Sequence, residues 1–206
     1  MSRLIAFGCS NTFGQALPDI HPENKVPSKF AWPALLANNL NMECYNLGIP
    51  GASNTLIMDT IMMFPFNTGD IVVVCWSYSD RLHLLDANIK SYHKRDHNLK
   101  EIVPWNKSRR TKNYYRYIYS EQHHIQMTTH FVKYVDLYLR EKQIKTFFQF
   151  SCEDNYFNPL FIPIDFSKIR SIHPFALDDG HPGVGAHQEL ADILYQHILS
   201  KNLTIK

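Results

Sequence analysis

One stretch of the chain, Ile71-Val72-Val73-Val74-Cys75-Trp76, is apolar at every position. A strand with one face in water alternates apolar and polar residues, whereas an unbroken apolar run indicates a strand that is covered on both faces. Such strands belong to parallel sheets with helices on either side. The stretch therefore predicts the central strand of an α/β protein, for which the rest of the 206-residue chain supplies neighbouring strands and covering helices.

Strand-like and helix-like segments alternate along most of the chain. Three further strands are predicted at residues 4–7, 43–47 and 144–150. Helices are predicted at residues 31–40, 55–64, 121–141 and 186–199, with Ser53 or Asn54 as the N-cap of the second. This order favours a parallel sheet with right-handed crossovers, in a three-layer α/β/α sandwich.

The segment from residue 82 to residue 120 breaks this alternation. It is rich in His, Lys, Arg, Asn and Tyr and has no sustained period. We interpret it as an insertion or lid with short helices, within a single domain that spans residues 1–206. A second irregular stretch, residues 151–175, contains three prolines and predicts a loop.

Charge and composition argue against several function classes. The formal net charge is +2 with neutral histidines, so no overall field favours nucleic acid or an anionic membrane. The four cysteines are far apart and form no metal-type pair, which favours buried, reduced thiols. We find no signal peptide and no apolar run that could span a bilayer, and we expect a cytoplasmic protein.

Two polar clusters have a structural interpretation. The basic and aromatic residues 107–119 are interpreted as a solvated insertion packed by its tyrosines, rather than as a surface for nucleic acid. The histidines at positions 93, 97, 123, 124 and 130 lack the Cys or carboxylate pattern of a metal site, so we interpret them as surface residues.

The residues suited to catalysis lie near the two ends of the chain. Ser10 follows the first predicted strand, within Gly8-Cys9-Ser10-Asn11-Thr12-Phe13-Gly14, at the edge where open α/β sheets bind ligands. A serine hydroxyl becomes a good nucleophile when a base takes its proton. His181 is a candidate for that base, and Asp178, three residues earlier, is placed to orient its imidazole. Asp179 is the rival acid.

These segments resemble the SGNH, or GDSL-like, hydrolases, a family of esterases, lipases and carbohydrate O-deacetylases with a flavodoxin-like three-layer fold. The first family block resembles Gly8-Cys9-Ser10-Asn11-Thr12, the second Asn46-Leu47-Gly48, and the last Asp178-Asp179-Gly180-His181-Pro182. The resemblance implies that Ser10 is the nucleophile, His181 the base and Asp178 the orienting acid. It also implies that the backbone amides of Ser10 and Gly48 are oxyanion donors.

Two positions depart from the family pattern. Cys9 stands where the family usually has an acidic residue before the serine. The block that normally reads glycine-x-asparagine-aspartate corresponds to Ser77-Tyr78-Ser79-Asp80, so Ser79 replaces an asparagine that supplies an oxyanion donor. Asn54 is a second possible replacement. Loss of one such donor typically costs about two to three orders of magnitude in rate.

Two hypotheses follow from these features. The favoured one is a serine esterase that hydrolyses a carboxylic ester, such as a carbohydrate O-acetyl group, with no metal or organic cofactor. The alternative is a weak or inactive protein of the same fold that binds a glycan or a protein partner. Arg81 has two interpretations, as an anion-binding residue or as a surface or salt-bridged arginine, and we favour the second. The sequence identifies neither the ester nor the oligomeric state.

Overall fold

The computed structural model describes residues 2–21, 26–85, 99–153, 156 and 158–201. The strands of the main sheet are β1 (Arg3–Gly8), β2 (Glu43–Gly48), β3 (Ile71–Trp76) and β6 (Thr146–Ser151). They are all parallel and lie in the order β2-β1-β3-β6. Two short strands, β4 (Leu82–Leu85) and β5 (Leu99–Ile102), form a separate antiparallel pair.

Helices cover both faces of the main sheet. The described helices are α1 (Ser10–Phe13), α2 (Trp32–Leu40), α3 (Asn54–Met62), α4 (Arg109–Tyr117), α5 (Glu121–Glu141), α6 (Phe166–Ile172) and α7 (Val184–Ser200). Helix α2 packs against α7, and α3 packs against α5. The predicted three-layer α/β/α sandwich is therefore confirmed. None of the described helices is both long enough and apolar enough to cross a bilayer.

Strand β3 lies at the centre of the core, as its unbroken apolar run predicts. All six of its residues are buried. It pairs with β1 on one side and with β6 on the other, so both of its edges are hydrogen-bonded. Strand β1 is also buried, from Leu4 to Gly8. These two strands form a rigid base from which the loops of the site extend.

The order of the strands in the sheet reverses at β1. Strand β2 lies on one side of β1, and the next strand, β3, lies on the other. The connections that follow β1 and β3 therefore lead to opposite sides and leave a crevice at the carboxyl ends of the two strands. Ligands bind at this position in open α/β sheets. Ser10 comes two residues after the end of β1, and Ser77 directly after β3.

Two segments differ from the sequence-based expectation. Residues 82–120 contain the antiparallel pair β4 and β5 and helix α4, rather than short helices alone. Residues 86–98 of this segment, with two of the histidines considered above, lie outside the described part of the chain. The predicted loop at residues 151–175 contains α6, which begins where Asp165 accepts a hydrogen bond from the Lys168 amide at 2.9 Å. That all 206 residues form one domain stays a prediction.

His187 connects α7 to α2 inside the core. It is 2% exposed, and its Nδ1 accepts a hydrogen bond from the Trp32 amide at 3.1 Å. The first amides of a helix lack partners within that helix, so the imidazole supplies one for α2. Burial lowers the pKa of His187 to about 4. The ring is therefore neutral in the folded protein at neutral pH, and Nδ1 is free to accept.

We expect this histidine to make stability depend on pH. Between its ordinary pKa of 6.5 and its folded value of about 4, only the unfolded chain binds the proton. The free energy of unfolding should therefore fall by roughly 3 kcal/mol as pH decreases through this interval. His187→Asn keeps an acceptor without a titrating group, and it should lose that part of the pH dependence. Urea unfolding of both proteins across the interval tests this, and parallel curves would contradict it.

Candidate active site

A cavity of about 530 Å³ lies in the crevice at the carboxyl ends of β1 and β3. Its size is within the range of small-molecule binding sites. Parts of the chain that are far apart in sequence form its wall. The lining residues are Ser10, Asn11, Gln15, Pro50, Gly51, Tyr78, Arg81, Glu101, Trp105, Arg170, Asp178, Gly180 and His181. Ser10, Asp178 and His181 are thus brought to one cavity.

Ser10 is the first residue of the short helix α1, rather than part of a loop. Gly14 ends this helix in the left-handed conformation, with φ of 81°, and its amide donates to the Ser10 carbonyl at 2.9 Å. Ser10 is 3% exposed, yet it borders the cavity. In the part of the chain that the structure describes, no hydrogen bond involves its hydroxyl. The hydroxyl is therefore available at the cavity wall.

His181 and Asp178 form a hydrogen-bonded pair on a tight loop. The distance from His181 Nδ1 to Asp178 Oδ2 is 2.6 Å. The other carboxylate oxygen accepts hydrogen bonds from the amides of Gly180 at 3.1 Å and of His181 at 3.0 Å. Asp179, the rival acid, instead takes a left-handed conformation with φ of 54°. The partner of the imidazole is therefore Asp178.

The surroundings of Asp178 favour its ionised form. Burial raises the pKa of this carboxyl, but hydrogen bonds from the His181 amide and ring and from the Gly180 amide outweigh that effect. The pKa therefore lies below its ordinary value. The group is a carboxylate at neutral pH, and it stabilises a positive charge on the adjoining imidazole.

Three contacts fix the histidine loop, and one of them ties it to the segment after the first helix. The Ala176 amide donates to the His181 carbonyl at 2.9 Å, which closes the loop. The Leu177 amide donates to the carbonyl of Ala16, shortly after α1, at 3.1 Å. Arg170 Nη2 donates to a carbonyl within the loop, that of Gly180, at 2.6 Å. The two ends of the chain are thereby joined directly beside the cavity.

Ser10 and His181 face one cavity without a hydrogen bond between them. Neither the Ser10 hydroxyl nor Nε2 of His181 takes part in a hydrogen bond with any residue that the structure describes. In enzymes without substrate, the contact between a nucleophile and its base is often long, and it tightens when substrate binds.

Gly48, at the end of β2, and Gly51, in the turn that follows, occupy different positions. Gly48, the expected oxyanion donor, does not line the cavity, and its amide donates to Asn46 Oδ1 at 3.0 Å. Gly51 does line the cavity, in a left-handed conformation with φ of 77°. Its amide has no acceptor within the described ranges. Gly51 therefore fits the donor role better than Gly48, and the second glycine of Gly48-Ile49-Pro50-Gly51 was the sequence signal for it.

The two expected side-chain donors are engaged elsewhere. Ser79 Oγ donates to Glu153 Oε1 at 3.0 Å. Asn54 Nδ2 donates to the carbonyl of Ser77 and to Thr128 Oγ1, both at 3.0 Å. Both residues line a neighbouring cavity of about 270 Å³ rather than the one that contains Ser10. They fix the chain after β3, and the structure does not bring them to Ser10.

The position of Arg81 differs from the favoured sequence interpretation, which was a surface or salt-bridged arginine. It lines the cavity, with its Cζ 4.8 Å from the ring centroid of Tyr78 and 4.9 Å from that of Trp105. Its Nε and Nη1 atoms are buried and lack hydrogen-bond partners among the described residues. Trp105 and Glu101, which also line the cavity, were not identified from the sequence, because they come from the segment without a clear period.

Comparison with known proteins identifies the fold. An acetyl xylan esterase from the rumen bacterium Butyrivibrio proteoclasticus has a TM-score of 0.51 at 10% identity, over 98% of this chain and 64% of that one. The chain has an SGNH hydrolase-like fold. No family model matches the sequence, and neither does any curated protein.

Two other solved structures match with lower TM-scores. A member of the lipolytic protein G-D-S-L family from Veillonella parvula has a TM-score of 0.38 at 12% identity, over 98% of this chain and 75% of that one. An active-site mutant of a family two carbohydrate esterase from Clostridium thermocellum has a TM-score of 0.44 at 16% identity, over 97% of this chain and 64% of that one.

Cys9 precedes the serine in this fold, but it is not suited to act as a nucleophile. Its Sγ is buried and lies 3.9 Å from Cys152 Sγ, which lies 3.8 Å from Cys75 Sγ. Hydrogen bonding with Cys152 and burial raise the pKa of Cys9 well above its ordinary value, so it stays a protonated thiol.

All four cysteines are unbridged, and Cys44 is the one that is only half-buried. The described residues include no group of three metal-ligating side chains.

The position of Gly48 predicts a loss of stability on substitution. A Cβ at Gly48 would lie 2.4 Å from the backbone nitrogen of Phe13, which cannot move without displacing α1. Gly48→Ala should therefore lower the free energy of unfolding by about 1–3 kcal/mol. Gly69→Ala is the matched control, since its nearest neighbour is Ser2 Oγ at 3.5 Å. Urea unfolding compares them, and equal stability of the two variants would disprove the tight packing.

Proposed function

We propose that the protein is a serine hydrolase that cleaves a carboxylic ester in the cavity beside α1. Ser10 is the nucleophile, His181 the general base and Asp178 the acid that orients it. The observation that carries this proposal is the presence of Ser10 and the His181–Asp178 pair in the wall of one cavity. A serine beside a histidine that is held by a carboxylate is the arrangement that acyl transfer requires.

The reaction proceeds in two steps. Ser10 Oγ attacks the ester carbonyl while Nε2 of His181 takes its proton, and Asp178 stabilises the resulting imidazolium through Nδ1. The imidazolium then gives the proton to the leaving alcohol, and the acyl group remains on Ser10. His181 next deprotonates a water molecule, which attacks the acyl-enzyme. The imidazolium returns the proton to Ser10 Oγ as the bond between Oγ and the acyl carbon breaks, which releases the carboxylic acid and restores both residues.

We assign the oxyanion site to the backbone amides of Ser10 and Gly51. Both residues line the cavity, and neither amide donates to another residue in the described ranges. The Ser10 amide is in the first turn of a helix, where amides have no partner within the helix. Donors that are already in place stabilise the developing negative charge without reorganising.

The carbohydrate O-acetyl group is our candidate ester. Trp105 is 58% exposed at the cavity and Tyr78 is half-buried there, so aromatic rings form part of its wall. Such rings offer flat apolar surfaces with polar edges, which suit a sugar ring. The solved structure with a TM-score of 0.51 is an acetyl xylan esterase, which agrees with this choice.

Binding without catalysis is the second candidate function. The observation that favours it is the engagement of Ser79 and Asn54, which leaves neither side chain to hold an oxyanion. Loss of one donor of this kind typically lowers the rate by about two to three orders of magnitude. A fluorophosphonate probe separates the two candidates, because it labels an activated serine and leaves an inert one unmodified.

We expect the purified protein to hydrolyse p-nitrophenyl acetate. Ser10→Ala removes the nucleophile and should lower kcat/KM by about three orders of magnitude or more. Ser200→Ala is the control, because that hydroxyl is bonded to the His197 carbonyl at the exposed end of α7. Turnover of the wild type no faster than that of Ser10→Ala would rule out the serine mechanism.

Asp178→Asn tests the orienting acid. The amide cannot stabilise the imidazolium as the carboxylate does, so kcat should fall by about two to four orders of magnitude. Asp179→Asn is a close control, since this neighbour does not contact the imidazole and asparagine tolerates its left-handed conformation. The assignment fails if Asp179→Asn causes the larger loss.

A further inference from the structure

The cavity contains a guanidinium group that the ester mechanism does not use. Arg81 follows β3 and lines the cavity together with Ser10 and His181. Its Nε and Nη1 atoms are buried, and neither has a hydrogen-bond partner in the described ranges. A buried charged donor without a partner is costly, so a group of opposite charge is expected to complete the site.

Two aromatic rings hold this guanidinium in position. Its Cζ is 4.8 Å from the ring centroid of Tyr78 and 4.9 Å from that of Trp105. Contacts of this kind stabilise the cation through the faces of the rings. The guanidinium also carries N–H groups at the edges of its plane, and those on Nε and Nη1 have no acceptor among the described residues. Those groups can bind a carboxylate or a phosphate with two parallel hydrogen bonds.

The other charged groups of the cavity leave Arg81 unpaired. Arg170 donates to a loop carbonyl, and Asp178 is paired with the imidazole. Burial raises the pKa of Glu101, and the positive charge of Arg81 acts against this effect. Within the described residues, however, neither Glu101 nor Asp80 forms an ion pair with Arg81 at 4.0 Å or less.

We propose that the substrate of this site carries a carboxylate or a phosphate group, which Arg81 binds. The inference rests on the proposed hydrolysis at Ser10. An acetyl group is too small to carry such a charge, so the anion belongs to the alcohol part of the ester. O-acetylated carbohydrates with an acidic or phosphorylated ring have this chemistry.

Three esters with similar leaving groups test the proposal: 4-acetoxybenzoate, 4-acetoxyphenyl phosphate and the neutral 4-acetoxybenzamide. Each kcat/KM is divided by the alkaline hydrolysis rate of the same ester, which corrects for intrinsic reactivity. The wild type should prefer at least one anionic ester over the benzamide by about 10- to 100-fold. The two anionic esters together distinguish a carboxylate from a phosphate.

Variants of the arginine assign the preference to its side chain. Arg81→Met should lower the ratio of anionic to neutral kcat/KM by about 10- to 100-fold, whereas Arg81→Lys should retain part of it because the charge remains without the planar fork. Arg116→Met is the matched control, since Arg116 is exposed on α4 beside Tyr117 and should leave the ratio unchanged. Equal preference for charged and neutral esters in the wild type would overturn the proposal. An equal loss on all three esters in Arg81→Met would also overturn it, because that result places Arg81 at the oxyanion.

A binding measurement separates this proposal from the hydrolase proposal. The amide analogues of the three esters, such as 4-acetamidobenzoate, resist this hydrolysis and can be titrated by ligand-observed NMR. Tighter binding of a charged analogue that Arg81→Met abolishes would support the anion site even if no ester were cleaved. Equal binding of charged and neutral analogues would refute it, whatever the esterase assay shows.

Discussion

The parallel pairing of β1 with strands on both of its sides determines where the site of this protein lies. Because β2 and β3 flank β1, the chain must leave β1 in one direction and return on the other side, and a crevice results. The nearly complete burial of β1 and β3 makes that geometry rigid, since close-packed interiors resist displacement. Ser10, two residues after the end of β1, is placed by the sheet rather than by a flexible loop.

Asp178 and His181 come from the other end of the chain, where a few hydrogen bonds, rather than a sheet, hold their loop in place. The loop with His181 is closed by its own carbonyl and tied to the Ala16 carbonyl, while Arg170 holds it from α6. Asp178 satisfies two loop amides with one oxygen and the imidazole with the other. The same carboxylate therefore shapes the loop and holds the imidazole, which links folding of this segment directly to its proposed chemistry.

The sequence predicted features that depend on a repeated local pattern. The main-sheet strands and the four predicted helices lie within two residues of their expected bounds, because apolar periodicity reports burial directly. Single donors were harder to place. Gly48 and Gly51 are the same residue type, so the sequence does not distinguish them as donors. Only the hydrogen bond from the Gly48 amide to Asn46 Oδ1 shows that the Gly48 amide already has an acceptor. Ser79 was chosen because it stands at the position of the family's asparagine. Its hydroxyl instead donates to Glu153, which comes from a distant segment of the chain.

The polar groups around the cavity differ in whether the protein supplies their hydrogen-bond partners. The groups that hold the loops, at Asn46, Asn54 and Ser79, have partners within the protein. Ser10, Gly51 and Arg81, which line the cavity, each have a polar group without a partner in the described chain. Buried polar atoms of Thr12, Ser77 and Asp80 also lack a partner there, but these residues do not line the cavity. Burying an unpaired polar group costs free energy, so a chain that keeps such groups together in one place gains from a ligand that pairs with them. In the proposed reaction, the ester carbonyl oxygen pairs with the amides of Ser10 and Gly51, and a negatively charged group of the substrate pairs with Arg81.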